Sequence, residues 1–187
     1  MRRTLCLLAA PLLIGATEPS YRYQLDPARS AISAKVGFFG IASKTAHFPR
    51  MSGRIALSPQ RLDAIDLDVE IDARQITAGD SLTLSRLRGQ DFFDVERYPT
   101  VHFSGRQMQM TGPVTATVAG QITVRGITRP ETLLVTFRSP PARATGREPI
   151  ELSARTVIDR RAFGMTAYSA IVAKKVTITI NARMMPD

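Results

Sequence analysis

Four carboxylates in a row are the first residues of this chain whose spacing could do chemistry. In Ile65-Asp66-Leu67-Asp68-Val69-Glu70-Ile71-Asp72 every second side chain is acidic and the others are apolar. Carboxylate oxygens are the usual ligands of calcium and magnesium. On a strand, side chains two positions apart share a face at a distance of about 7 Å. One ion cannot bridge that gap without ligands from a neighbouring strand. The spacing and the loop glycine of an EF-hand are absent. The row therefore reads as a solvated strand face, and its charge also discourages edge-to-edge pairing.

Other candidates for chemistry are few. The histidines are His47, beside an Ala-Phe-Pro stretch, and His102, on the outward side of a predicted strand. Either could serve as a general base, but no Gly-x-Ser-x-Gly elbow accompanies them. The single cysteine, Cys6, lies within the N-terminal apolar run. If that run is removed, the rest of the chain has no disulfide, thiol nucleophile or thiolate ligand to offer. Gly37, Gly40 and Gly53 lack the following helix that a phosphate-binding loop requires, and they read as turn and bend residues. Sequence thus predicts no catalytic residue, no metal ligand and no cofactor.

The N-terminus has the order of a secretory signal. Arg2 and Arg3 precede an apolar run from Leu5 to Gly15, and Ile14-Gly15-Ala16 offers small residues for cleavage. The run is too short to span a bilayer. Residues 1–16 are therefore expected to be a signal peptide and residues 17–187 one domain, periplasmic or secreted. Removing Arg2 and Arg3 lowers the formal charge from +9 to +7, with 23 Lys and Arg against 16 Asp and Glu. The positive charge is dispersed, which argues against nucleic acid as a partner and suits transient contact with an anionic membrane surface.

The elements that must position these residues are strands. Apolar residues alternate with polar ones at Tyr21-Tyr23-Leu25, Ile32-Ala34-Val36-Phe38, Ile55-Leu57, Ile65–Ile71, Val101-Phe103-Gly105, Val114–Val124, Leu133-Val135-Phe137, Leu152-Ala154-Thr156-Ile158 and Val176-Ile178-Ile180-Ala182. Eight to ten short strands with turn signals between them predict a sandwich or barrel. Ala119-Gly120 reads as a bulge or bend, Gly126 to Pro130 as a turn, and Ser139 to Pro149 as a mobile loop. One segment departs from the period of two. Asp80 or Ser81 can cap a helix, Leu84 and Leu87 lie one turn apart, and Gly89 can end it, so residues 81–89 read as a short helix.

Four segments carry more than generic β pattern. They are Asp26-Pro27-Ala28-Arg29-Ser30, Leu87-Arg88-Gly89-Gln90-Asp91-Phe92-Phe93-Asp94-Val95-Glu96-Arg97-Tyr98-Pro99-Thr100, Gly120-Gln121-Ile122-Thr123-Val124-Arg125-Gly126-Ile127-Thr128-Arg129-Pro130, and Asp159-Arg160-Arg161-Ala162-Phe163-Gly164-Met165. In order and spacing, from about Tyr21 to Ala182, the chain closely resembles the YceI-like family of secreted, lipocalin-like proteins. The resemblance implies an all-β fold, an eight-stranded antiparallel lipocalin-like barrel with a short helix between strands. It also implies a lumen that holds a polyisoprenoid lipid (an isoprenoid quinone or a polyprenol) and no enzymatic activity. Arg29 stands where the family commonly has histidine before the serine. Phe38-Phe39 replaces a histidine-containing stretch, which makes that part of the pocket more apolar.

An eight-stranded barrel is just wide enough to be filled by side chains or to admit one small ligand. With no Trp, eight Phe and seven Met, large aromatics are sparse for filling it. Phe38, Phe48, Phe92, Phe93, Phe103, Phe137 and Phe163 either line a cavity or pack on one another as a core, and the resemblance favours the cavity. The expected ligand-binding set adds Val36, Ile55, Val69, Ile71, Leu84, Leu87 and Met165. Adjacent residues on extended chain face opposite ways, so one of Phe92 and Phe93 is expected to enter the barrel and the other to cover its mouth. Arg160 could pair with Asp91 or Asp94, or snorkel over apolar surface. The alternatives are a non-enzymatic stress or interaction protein with a self-filled core, and a lipid hydrolase or isomerase that sets a pair such as His47 and an acid inside the lumen. A homodimer through barrel edges or apolar mouths is also consistent with the sequence.

Overall fold

The structure is a computed structural model that describes residues 20–187; the signal segment expected at residues 1–16 lies outside them. The elements in chain order are β1 (Tyr21–Leu25), β2 (Ala31–Phe38), β3 (Ala42–His47), β4 (Met51–Ser58), β5 (Arg61–Asp72), β6 (Thr77–Ala78), α1 (Ser81–Arg88), β7 (Thr100–Met110), β8 (Thr115–Val124), β9 (Ile127–Phe137), β10 (Ile150–Asp159) and β11 (Val172–Pro186). Eight strands close a ring in the order β1-β4-β5-β7-β8-β9-β10-β11, with β1 paired back to β11. All of these pairings are antiparallel. Residues 20–187 thus form the expected all-β barrel with one short helix.

Strand β11 explains the shape. One of its edges serves β1 at Met184–Pro186 and β2 at Val172–Asn181. Chain leaves β1 at Asp26, whose carboxylate accepts from the Ala28 amide at 3.1 Å, and re-enters β11 pairing at Ala31. From there β2, β3 and β6 form a flap that peels away from β4. The wedge between flap and ring is filled by a second apolar cluster built on Ile32, Phe48, Met51 and Ile76, with Leu84, Leu87 and Phe93 packed against it. We call the end where β2, β5, β8 and β10 finish the upper end.

Helix α1 is capped as its sequence predicts. Asp80 accepts from the Thr83 amide at 2.7 Å and its hydroxyl at 2.8 Å, and Gly89 donates to Ser85 and Arg86 carbonyls. Lys44 on β3 reaches Asp80 at 2.7 Å, so the cap also ties helix to flap. The Asp80 carboxyl is held at about 2, first by Lys44 and then by the Thr83 bonds.

Three readings of the sequence need correction. Strands β3 and β6 carry no clean apolar alternation (Ala42-Ser43-Lys44-Thr45-Ala46-His47 for β3), and pairing makes them strands, β3 against β2 and β6 against β3. The turn placed at Gly126–Pro130 is only Arg125-Gly126, at φ +51° and +71°, the pattern of a type I′ hairpin. Pro130 lies inside β9, on the half that has no β10 partner, where a missing N–H is tolerated. The Ser139–Pro149 segment folds back on the barrel, with Pro141 buried and Gly146 against the Tyr21 ring.

The irregularity expected near Gly120 is real but sits on the facing strand: Arg106 is the extra residue between Gly105 and Gln107. Gly105 and Gly120 face one another there. A Cβ on Gly120 would collide with the Ser104 carbonyl and lie 2.7 Å from the Phe103 ring. Only glycine permits this approach, and the Phe103 ring packs over the pair on the inner side of the sheet.

Candidate functional site

The inner faces of the strands enclose a cavity. The centre of a water molecule could occupy about 220 Å³ of it. By that measure one water needs roughly 10–15 Å³, so the lumen has room for a chain of many methyl-sized groups. The wall is almost wholly apolar; its polar exceptions are Ser30, Lys44, Thr45, Thr83, Glu131, Thr156, Arg160 and Asn181. An apolar cavity of this kind stays dry and accepts apolar guests.

Of the fourteen residues expected at a ligand site, eleven line this cavity: Val36, Phe48, Ile55, Val69, Ile71, Leu87, Phe92, Phe93, Phe103, Phe137 and Met165. Phe38 does not. It stands at the end of β2, edge-on to Phe39 at 4.6 Å and under the Lys44 ammonium at 5.5 Å, above the lumen. Leu84 lies behind the wall in the flap cluster. Phe163 is 2% exposed and belongs to the main core beside the wall rather than to its surface.

Phe92 and Phe93 both face inward. The segment is a run of turns, with Phe92 N–H on the Gly89 carbonyl and Phe93 N–H on Leu87, so the alternation of extended chain does not apply. Phe93 packs edge-on to Phe48 at 5.7 Å, and Phe92 stacks on Tyr168 at 6.0 Å. Together they roof the upper end. Arg160 takes neither expected role. It meets no carboxylate among the described residues, and its Nε donates to the Ala173 carbonyl at 3.0 Å.

Further wall residues were legible. Ile32 and Ala34 precede Val36 in step, Ile65 and Leu67 precede Val69, and Val176, Ile178 and Ile180 repeat the same period. Glu131 is in step with Leu133, Val135 and Phe137, so the period of two already points its carboxylate inward. In the structure it accepts a 2.6 Å bond from the Thr156 hydroxyl. Strands β9 and β10 pair only at Leu134–Phe137. Above that they are linked by side chains: Glu131 to Thr156, Arg129 to the Ala162 carbonyl, and Arg125 to the Gly164 carbonyl at 2.8 Å.

The histidines, the groups best suited to acid–base chemistry, lie elsewhere. His102 and Asp68 form a 3.0 Å pair outside the cavity, and His47 is not on its wall. Neither histidine therefore supplies an acid–base pair inside the lumen. Three carboxylates of the β5 row have side-chain partners: Arg106 on Asp66, His102 on Asp68, and Arg74 on Asp72 at 2.9 Å. Among the described residues no three His, Cys, Asp or Glu side chains are grouped to hold a metal.

Known proteins share this architecture. The chain is similar in structure to BcnA of Burkholderia cenocepacia, with a TM-score of 0.75 and 23% identity over 85% of this chain and 98% of that one. It is similar also to a polyisoprenoid binding domain from Saccharophagus degradans implicated in plant cell wall breakdown, with a TM-score of 0.67 and 13% identity over 88% and 98%. By sequence it resembles a UPF0312 protein of Vibrio cholerae, 24% identical over 174 residues, 91% of this chain and 92% of the relative. A UPF0312 protein of Pseudomonas putida is 23% identical over 155 residues, 83% and 81% of the two chains. The YceI-like domain model matches residues 23–184, from the buried Tyr23 of β1 to Met184 of β11, and the chain belongs to the YceI-like family.

Proposed function

We propose that this protein binds a polyisoprenoid lipid, an isoprenoid quinone or a polyprenol, in the barrel lumen and carries or buffers it in the periplasm without altering it. The observation that carries this reading is the apolar cavity of about 220 Å³ inside the closed ring of strands. That space weighs against a self-filled core, the rival reading. The binding property of the structurally similar Saccharophagus degradans domain supports the choice of ligand class. The basic–apolar–small order of residues 1–16 supports export.

Apolar burial is sufficient for affinity. About twenty methylene-sized groups at about 0.8 kcal/mol each contribute on the order of 16 kcal/mol. Loss of motion and ligand ordering remove roughly 4–15 kcal/mol. The surplus at the favourable end supports useful binding with no metal or ionic contact.

Exchange is expected at the upper end, against an anionic membrane. There the β2–β3 tip exposes Phe39 (60%) and Ile41 (95%), and the Phe39 amide joins it to the Ile171 carbonyl of the β10–β11 connection. Register places Lys174, Lys175 and Arg161 at the same end as Lys44. An apolar tip among cations suits insertion between acidic headgroups. The test is native mass spectrometry of delipidated protein with an isoprenoid quinone and a polyprenol. Stoichiometric uptake of either is the expected result; uptake of neither refutes the function.

A further inference from the structure

A greasy guest alone does not account for Arg160. Its side chain is a wall residue of the lumen and the residue is 2% exposed. Nε donates to the Ala173 carbonyl at 3.0 Å, Nη1 to Met165 and Ala167, and Nη2 to Val172 at 2.9 Å. The neighbouring carboxylate, Asp159, is engaged by Arg161 at 2.8 Å. Glu131, the carboxylate of the wall, is bonded to Thr156. No carboxylate among the described residues lies within ion-pair distance of Arg160. Burial pushes its pKa down, Arg161 adds to that, and Asp159 opposes it. A guanidinium nevertheless stays charged in proteins.

Carbonyl dipoles satisfy four of its N–H donors and leave the fifth, on Nη2, without an acceptor among the described residues. Phe92, also on the wall, has its ring centre 5.9 Å from the Arg160 Cζ. An enclosed, unbalanced positive charge with a spare donor is costly beside an apolar void. A hydrogen-bond-accepting oxygen on the guest would relieve that cost, and its bond to a charged donor would be a strong one.

We propose that Arg160 anchors the polar head of the bound lipid through such an oxygen, either the carbonyl of a quinone or a phosphate oxygen of a polyprenyl phosphate. The head then lies under Phe92 at the upper end, and the tail runs down the lumen toward Phe137 and Met184. The anchor gives the lipid a single orientation and separates headed isoprenoids from hydrocarbons of equal length. This rests on the lipid-binding reading above.

The experiment compares three probes on the intact protein: squalene, which has no head, an isoprenoid quinone, and a polyprenyl monophosphate. Wild type is expected to bind at least one headed probe ten or more times tighter than squalene. Arg160→Met is expected to abolish that preference. Because Arg160 also ties down the 165–173 segment, the readout is the preference and not the affinity. A preference that survives in Arg160→Met overturns the anchor, as does wild type binding all three probes alike. Comparison of the two headed probes tells carbonyl from phosphate recognition. If Arg160→Met does not fold, the guanidinium ¹⁵N resonances of wild type decide. They should move with the preferred headed probe and not with squalene; no movement under a bound headed probe refutes the proposal. Should none of the three probes bind wild type, it is the lipid-binding function that fails.

Discussion

Filling the lumen separates a carrier from a self-packed barrel, because the two predict opposite signs of stability. Ala154 is the point to perturb. It is buried at 5% exposure on β10, lines the cavity, and stands in register between Val135 of β9 and Ile180 of β11, both also on the wall. Ala154→Phe adds about six carbon atoms to the lumen, and a buried Phe is worth on the order of 1.5–3 kcal/mol relative to an exposed one. In an empty cavity the apo protein should gain up to that amount, raising Tm by roughly 3–12 °C for a chain of this size. In a filled core the same change is overpacking and costs about 1–3 kcal/mol.

Affinity should move the other way. The ring occupies space that about six methylene-sized groups of the guest would use, at about 0.8 kcal/mol each. The loss approaches 5 kcal/mol, a weakening of several thousand-fold. Differential scanning calorimetry of delipidated protein and quinone binding by fluorescence quenching give the two numbers. A lowered Tm refutes the open lumen. A raised Tm with unchanged affinity shows that the lipid binds somewhere else.

Three further outcomes follow from particular groups. Tyr23 is fully buried, its hydroxyl has no partner at hydrogen-bond geometry among the described residues, and burial followed by Glu148 pushes its phenol up against the opposing Gly146 backbone; Tyr23→Phe should be neutral or stabilising by about 1 kcal/mol in urea unfolding, and a clear loss would contradict the orphaned hydroxyl. Asp80 is held at about 2 while an unfolded aspartate titrates near 3.9, so its contribution is complete above about pH 4 and lost as pH falls toward 2. Asp80→Asn should therefore shrink the acid-side decline in Tm, with amide exchange of α1 as the local readout, and an identical decline in both proteins would reject the assignment. Phe39→Ser with Ile41→Ser should abolish cosedimentation with phosphatidylglycerol vesicles while quinone binding in detergent persists; equal binding by the variant would place the membrane face elsewhere.

How much of this was legible depends on whether a residue obeys a period. The wall residues of β2, β5, β8, β9 and β11 follow from strict alternation, since one face of each strand must be dry. The cap at Asp80 and the stop at Gly89 follow from local chemistry. Phe92 and Phe93 were misread because alternation was extended into a segment whose amides bond back to Leu87 and Gly89. The flap strand β3 was missed because its inward positions, Lys44 and Ala46, do not stand out as apolar.

Arg160 is the instructive failure. It occupies a four-residue turn just past β10, where neither the period of two nor helical spacing constrains direction, and its partners are backbone carbonyls rather than any side-chain type. Carbonyls carry no sequence signature, so no pattern of residues could announce that this arginine is enclosed while Arg161 beside it is not. Glu131 is the contrasting case, since it keeps its strand's period and points inward as that period requires. Two of the polar groups that interrupt an otherwise greasy lumen thus enter it by different routes. Strand geometry imposes one and chain reversal imposes the other. The group whose placement owes nothing to the sheet is the one left with a charge for a ligand to answer.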